Sequence, residues 1–318
     1  MNKQKWIALG LSLAGTGSAF VLRNYVYRKA IRRLVMLNRF LSEKTPKEAG
    51  LPFEEVWFKS RDGLKLHGWF IPAQDSLAGK ATIIMGHGHS GSKVADLHYA
   101  AFFRQGGYSV FMLDFRGHGQ SEGPKGTSMG YWERYDIAGV VDWLLGRGLT
   151  RFGIFGISMG AAIAILAAAE NPLIKAVVAD SAYAHLPRAI SHEIQRSYGL
   201  PVWLAQPLGW WAYAMVAKHH GFSFWEGHSA EVVAKIAPRP LLIIHAEEDN
   251  VTPVENAQIL FQRALHPKEL WIQPGIGHVE GYNKFGVRYE QRVLEFLDRV
   301  NWQATTAPLP SQPTLDGK

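Results

Sequence analysis

From residue 53 onward the apolar and polar positions follow two alternating periods. Residues 53–60 and 64–71 read as two strands closed by the turn Arg61-Asp62-Gly63, a hairpin pattern of β-prone runs on either side of a glycine turn. Short apolar runs then recur at 81–85, 109–113, 152–155, 175–179, 241–245 and 269–272. Between them, 94–104, 131–145, 159–169, 255–265 and 288–300 carry helical spacing. Short buried strands alternating with helices predict an α/β fold. The count gives an eight-stranded, mostly parallel sheet with helices on both faces, the opening hairpin adding antiparallel pairing at one edge.

The alternation breaks once. About 60 residues separate the runs ending at 179 and starting at 241, and a long insertion after a sheet strand is usually functional. It is rich in aromatic residues: Trp203, Trp210, Trp211, Tyr213, Phe222, Phe224 and Trp225. The expectation is a helical cap over about 183–235, with Trp203, Trp210, Trp211 and Trp225 as candidate substrate contacts. The alternative is an extra helical layer with an ordinary core. Residues 303–318, rich in Thr and Pro, are expected to be disordered.

Composition narrows the classes. Hydrophobic residues make up 47% of the chain and charged residues 19%, enough for a substantial core. The absence of cysteine excludes disulfide scaffolds, thiolate zinc sites and a cysteine nucleophile. The net charge of +7 suggests a polyanionic partner until its distribution is considered. Residues 1–50 hold ten Lys/Arg against Glu43 and Glu48, and the remainder is nearly neutral. No nucleic-acid partner is expected.

Within that basic segment, residues 6–22 are uncharged over 17 positions. As a helix they would reach about 25 Å, slightly short of a hydrocarbon core of about 30 Å. Three readings compete: an uncleaved membrane anchor over 1–27, favoured; a signal peptide cleaved after Ala19, which would release a secreted protein; and a buried helix. For the anchor, Arg23, Arg28, Lys29, Arg32 and Arg33 weakly favour a cytoplasmic catalytic domain. Residues 28–52 form a basic connector, and 53–302 the main domain.

The chemistry is concentrated at Gly156-Ile157-Ser158-Met159-Gly160, a G-x-S-x-G between a strand run and a helix run. That context places a serine on a sharp turn with its hydroxyl exposed, and flanking glycines let strand and helix close around it. Serine needs a base. His278, in the loop Pro274-Gly275-Ile276-Gly277-His278 after the last strand, is the candidate. Asp249, opening the loop after the strand 241–245, is the candidate to orient it, with Glu248 and Asp180 as alternatives. The backbone N–H groups of Met159 and of His89, in Gly86-His87-Gly88-His89-Ser90-Gly91, are the candidate oxyanion donors. His219, His220 and His228 fall in the insertion and could at most touch substrate; His118 is expected to be structural, and His185 and His192 carry no assigned chemistry.

The order Ser158, Asp249, His278, together with His87-Gly88-His89, Asp114-Phe115-Arg116-Gly117-His118-Gly119-Gln120-Ser121 and Gly277-His278, resembles the α/β-hydrolase superfamily. More narrowly it resembles membrane-tethered bacterial serine hydrolases of the serine aminopeptidase and monoacylglycerol lipase-like branch. The resemblance implies an α/β-hydrolase fold and a serine hydrolase acting on carboxylic esters of apolar or lipid-like acyl groups, with no metal or organic cofactor. It treats 114–121 as scaffold, and Asp136 and Asp142 as helix-face positions. An aminopeptidase, amidase or thioesterase on the same triad is the alternative; an amine-binding anion would have to come from Glu193 or Glu226. A noncatalytic lipid-binding protein is a third reading, disfavoured by the intact constellation.

Overall fold

The computed structural model describes residues 28, 31, 32, 34–37, 39–76 and 79–303. Eight strands form one sheet: β1 (Glu54–Lys59), β2 (Lys65–Ile71), β3 (Thr82–Gly86), β4 (Ser109–Leu113), β5 (Phe152–Ile157), β6 (Ile174–Asp180), β7 (Leu241–Ala246) and β8 (Lys268–Gln273). Their order is β1-β2-β4-β3-β5-β6-β7-β8. β2 runs antiparallel to β1 and β4, and all other pairings are parallel. The sheet is the one expected from the alternation of runs.

Helices cover both faces because the central strands are apolar on both sides. Within β3, Ile84 points into one core while Ile83 and Met85 point into the other, the two-residue period of a strand. The first core packs against α2 (Glu133–Leu145) and α3 (Met159–Glu170), and the second against α1 (Leu97–Gln105) and α9 (Val287–Asp298). α7 (Glu255–Arg263) joins the first core through Ala257 and Leu260. The run expected to be a helix over 94–104 is divided, a 3₁₀ turn at Lys93–Asp96 preceding α1.

Between β6 and β7 lie α4 (Leu186–Tyr198), α5 (Val202–His220) and the short α6 (Ser229–Val232). α4 and α5 pack closely because Gly209 has no side chain: a Cβ there would collide with Ser191. After β8, α8 (Gly281–Phe285) leads into α9.

The run 114–121 forms the scaffold expected of it. Asp114, fully buried, accepts from the Lys93 amide at 3.0 Å, Lys93 Nζ at 2.5 Å and the Gln120 amide at 3.0 Å. Asp136 differs from the helix-face expectation. It is buried and ion-paired to Arg116, which also pairs with Asp62.

One expectation is corrected. Residues 6–22, on which a single N-terminal membrane pass and a membrane localisation rested, lie outside the described residues. Among the described residues no helix is long and apolar enough to cross a membrane. The longest of them, α5, has 19 residues but contains Gln206, Lys218, His219 and His220, so it covers a core with one face instead of facing lipid on all sides. Residues 304–318 of the expected disordered tail also lie outside the described residues.

Candidate active site

The parallel strands β3, β5, β6, β7 and β8 all end on one edge of the sheet, and the loops leaving that edge carry the candidate residues. Ser158 follows β5 directly, with φ 54° and ψ −114°. This conformation is rare for a residue with a side chain and is held only where the surroundings enforce it. The enforcement is steric. A Cβ at Gly156 would run into the Gly160 backbone, and one at Gly160 into the Gly86 backbone. Glycine at both positions lets α3 start hard against β3 and β5, so Ser158 caps the helix with its hydroxyl projecting over the sheet edge.

His278 Nε2 lies 3.0 Å from Ser158 Oγ, and His278 Nδ1 lies 2.6 Å from Asp249 Oδ2. Asp249 is held from its other side as well. The amides of Val251 and Thr252 each donate to Oδ1 at 2.8 Å, and the Thr252 hydroxyl donates to Oδ2 at 2.9 Å. Burial works to raise the Asp249 carboxyl, but the hydrogen bond and charge of His278 and these two amides outweigh it and leave the group below its ordinary value. An ionised Asp249 fixes the His278 proton on Nδ1 and leaves Nε2 free to accept from the serine hydroxyl. Glu280 holds the histidine loop by accepting from the Gly277 amide at 2.7 Å.

The alternative acids stand elsewhere. Asp180 accepts from the Tyr289 hydroxyl at 2.6 Å and the Ser181 hydroxyl at 2.9 Å, and among the described residues the acid paired with His278 is Asp249, not Glu248. Two other buried histidines serve loops: His118 Nδ1 donates to the Arg116 carbonyl and His220 Nε2 to the Thr127 carbonyl.

His89 and Met159 line the same space as Ser158. Among the described residues neither backbone amide has a hydrogen-bond partner. The preceding His87 is built in: Nδ1 donates to the Gly88 carbonyl at 2.8 Å, and Nε2 accepts from the Phe115 amide at 3.1 Å. Burial lowers its basicity and keeps it neutral, which suits that donor–acceptor pair.

A cavity of about 700 Å³ opens over Ser158 and is lined mainly by apolar side chains. That is within the usual range for small-molecule sites, about 300–1,000 Å³. Of the four candidate tryptophans only Trp211 borders it. Trp203 and Trp225 are corrected to solvent-facing positions, 72% and 76% exposed, and Trp210 packs against Phe224 with ring centroids 5.5 Å apart. For Trp203 the reason is its place around α5, while Trp225 lies beyond the end of that helix. Ala205, Gly209, Ala212 and Val216 turn inward, so Leu208 and Trp211 flank that stripe while Trp203 falls outside it. The larger share of the lining comes from α4, through Leu186, Ile190, Glu193, Ile194 and Ser197. Their three- and four-residue spacing was visible in the sequence, but which face of α4 meets the cavity is set only by its packing against α5.

A family model described as serine aminopeptidase, S33, matches residues 78–223. The uncharacterized protein YqkD of Bacillus subtilis is 32% identical over 245 residues, covering 75% of this chain and 77% of YqkD. The chain belongs to the α/β-hydrolase superfamily. The uncharacterized protein YfhR of Escherichia coli K12 is 28% identical over 254 residues, covering 77% of this hydrolase and 80% of YfhR. Among solved structures, the Pyrococcus furiosus esterase Pf2001 is 28% identical with a TM-score of 0.68, covering 83% of this hydrolase and 99% of that chain. The membrane tether in the expected resemblance finds no support in these relatives; the hydrolase fold does.

Proposed function

We propose that this hydrolase is a serine esterase that cleaves carboxylic esters with apolar, lipid-like acyl chains through an acyl-enzyme. The observation that carries this reading is the unbroken line from Ser158 through His278 to Asp249, with contacts of 3.0 and 2.6 Å, at the floor of an apolar cavity. Ser158 Oγ attacks the ester carbonyl while His278 Nε2 takes its proton. The resulting imidazolium is stabilised by Asp249. Negative charge develops on the former carbonyl oxygen and is met by the amides of Met159 and His89. Collapse of the intermediate expels the alcohol, which leaves with the proton from His278. Water, deprotonated by the same histidine, then attacks the acyl-enzyme, frees the carboxylic acid and restores Ser158.

The cavity chemistry favours an ester over an aminoacyl amide. An aminopeptidase has to neutralise a substrate ammonium, and among the described residues Glu193 is the only acid lining the cavity. Its carboxylate already pairs with Arg196 at 2.7 Å and accepts from the Ser197 hydroxyl at 2.6 Å. Labelling with a fluorophosphonate followed by peptide mapping tests the nucleophile, and p-nitrophenyl esters set against aminoacyl p-nitroanilides test the class. The expected result is one adduct on Ser158, absent in Ser158→Ala, with turnover of esters. Retained turnover in Ser158→Ala, or faster cleavage of anilides than of esters, would overturn it.

A further inference from the structure

The segment ahead of β1 is more than a connector. We propose that the turn at Ile31, Leu34 and Val35 puts Leu34 into the wall of the substrate cavity and tethers the loop carrying the His89 oxyanion donor, so that Leu34 is a specificity residue and the His89 ring a positioning group. The proposal rests on the esterase reading above.

Ile31, Arg32 and Leu34 are helical, and the turn ends where the Val35 and Met36 amides donate to the Ile31 carbonyl at 2.9 and 3.1 Å. Ile31 and Val35, four residues apart and so on one face, are buried with Met215 and Val216 of α5. Leu34 borders that cluster and also lines the cavity beside Ser158 and His89. Two backbone carbonyls then fasten the turn to the sheet side of the site. The Leu34 carbonyl accepts from His89 Nε2 at 3.0 Å, and the Val35 carbonyl accepts from the Thr127 amide at 3.1 Å. Gly126, at φ 74°, makes room for the second contact, because a Cβ there would collide with the Val35 carbonyl. Farther along, Arg39 Nη1 donates to the Ser121 carbonyl at 2.6 Å. One short segment therefore touches the cap helix, the cavity and the oxyanion loop together.

The His89 ring suits this task. Burial lowers its pKa to about 4, so it stays neutral through the ordinary pH range and donates from Nε2 alone. Its Nδ1 lies 3.3 Å from the Ser90 hydroxyl, which donates to it. The bond from Nε2 to the Leu34 carbonyl fixes the direction in which the backbone amide of the same residue points. Substrate chain and oxyanion thus meet the same segment, Leu34 through its side chain and His89 through the Leu34 carbonyl.

The test uses the full chain with p-nitrophenyl acetate and octanoate, and fluorophosphonate titration to count active sites. Leu34→Trp, which fills the wall, should lower the octanoate-to-acetate ratio of kcat/KM at least tenfold, mainly through KM, in line with the 10- to 200-fold leverage of small volume changes in an apolar pocket. Leu34→Ala, which only removes atoms and keeps the test decisive where the tryptophan unfolds, should shift preference toward longer chains. His89→Phe should lower kcat about tenfold for both esters, and His89→Gln, which can donate to the same carbonyl, should recover part of the loss. Leu41→Ala, on the same segment but 68% exposed, should leave the ratio unaltered. Unaltered ratios in both Leu34 variants with normal Ser158 labelling overturn the proposal and leave the esterase reading standing. Failure of the wild-type protein to label overturns that reading and the proposal with it.

Discussion

Replacing Asp249 with asparagine isolates the electrostatic part of the site at nearly constant shape. The outcome follows from which oxygen does what. Oδ1 accepts two backbone amides, from Val251 and Thr252, at 2.8 Å each. An asparagine can satisfy both only by placing its carbonyl oxygen there, so its NH₂ group takes the Oδ2 position, 2.6 Å from His278 Nδ1. Two N–H groups cannot face each other at that distance. His278 must then carry its proton on Nε2, where it points at Ser158 Oγ and cannot accept the hydroxyl proton. Thr252 adapts, since its hydroxyl can turn to the Ser181 carbonyl 3.2 Å away, so the fold tolerates the change. In a triad of this geometry the wrong tautomer lowers kcat by about 10⁴, which is about 5.5 kcal/mol of transition-state stabilisation. The assay is steady-state hydrolysis of p-nitrophenyl butyrate, normalised to folded protein by circular dichroism and thermal melting. The expected result is a kcat lowered by three to four orders of magnitude, KM within a few-fold, and a melting temperature close to wild type. A kcat within tenfold of wild type in folded protein would refute the tautomer reasoning, and an equal loss from Asp180→Asn with none from Asp249→Asn would transfer the acid to β6.

Ser158→Gly should abolish turnover yet raise the melting temperature, because φ 54° with ψ −114° costs a side-chain-bearing residue about 1–3 kcal/mol and glycine almost nothing; a lowered melting temperature would show that the elbow is not strained. Asp96 is pushed up to about 7 by burial and by the neighbouring Asp180 charge. The folded state therefore holds a proton that the unfolded chain releases near pH 4, so stability falls as pH rises from about 4 to about 7 and is level above. Asp96→Asn should accordingly raise the melting temperature by a few degrees at pH 8 and much less at pH 4; equal shifts at both would contradict the assignment.

Much of the molecule was legible in the chain alone, for local reasons. Strand and helix periodicities depend on which face each residue turns to a neighbour, and that pattern gave eight strands close to their observed bounds. The elbow was legible because Gly156 and Gly160 mark a close approach that no other residue permits. The order of Ser158, Asp249 and His278 along the strand ends placed them on one edge, since parallel strands all finish on the same side. The cavity wall was a different matter. Whether Trp203 or Ile190 meets a substrate depends on how α4 and α5 rotate against each other, and Gly209 against Ser191 decides that only once both helices are packed. Leu34 was equally hidden. Its part in the cavity comes from a carbonyl bonded to His89 and a turn seated on Met215 and Val216, contacts between segments far apart in sequence. Local pattern determined the scaffold and the alignment of Ser158, His278 and Asp249 at its edge; long-range packing decided the shape of the space above them.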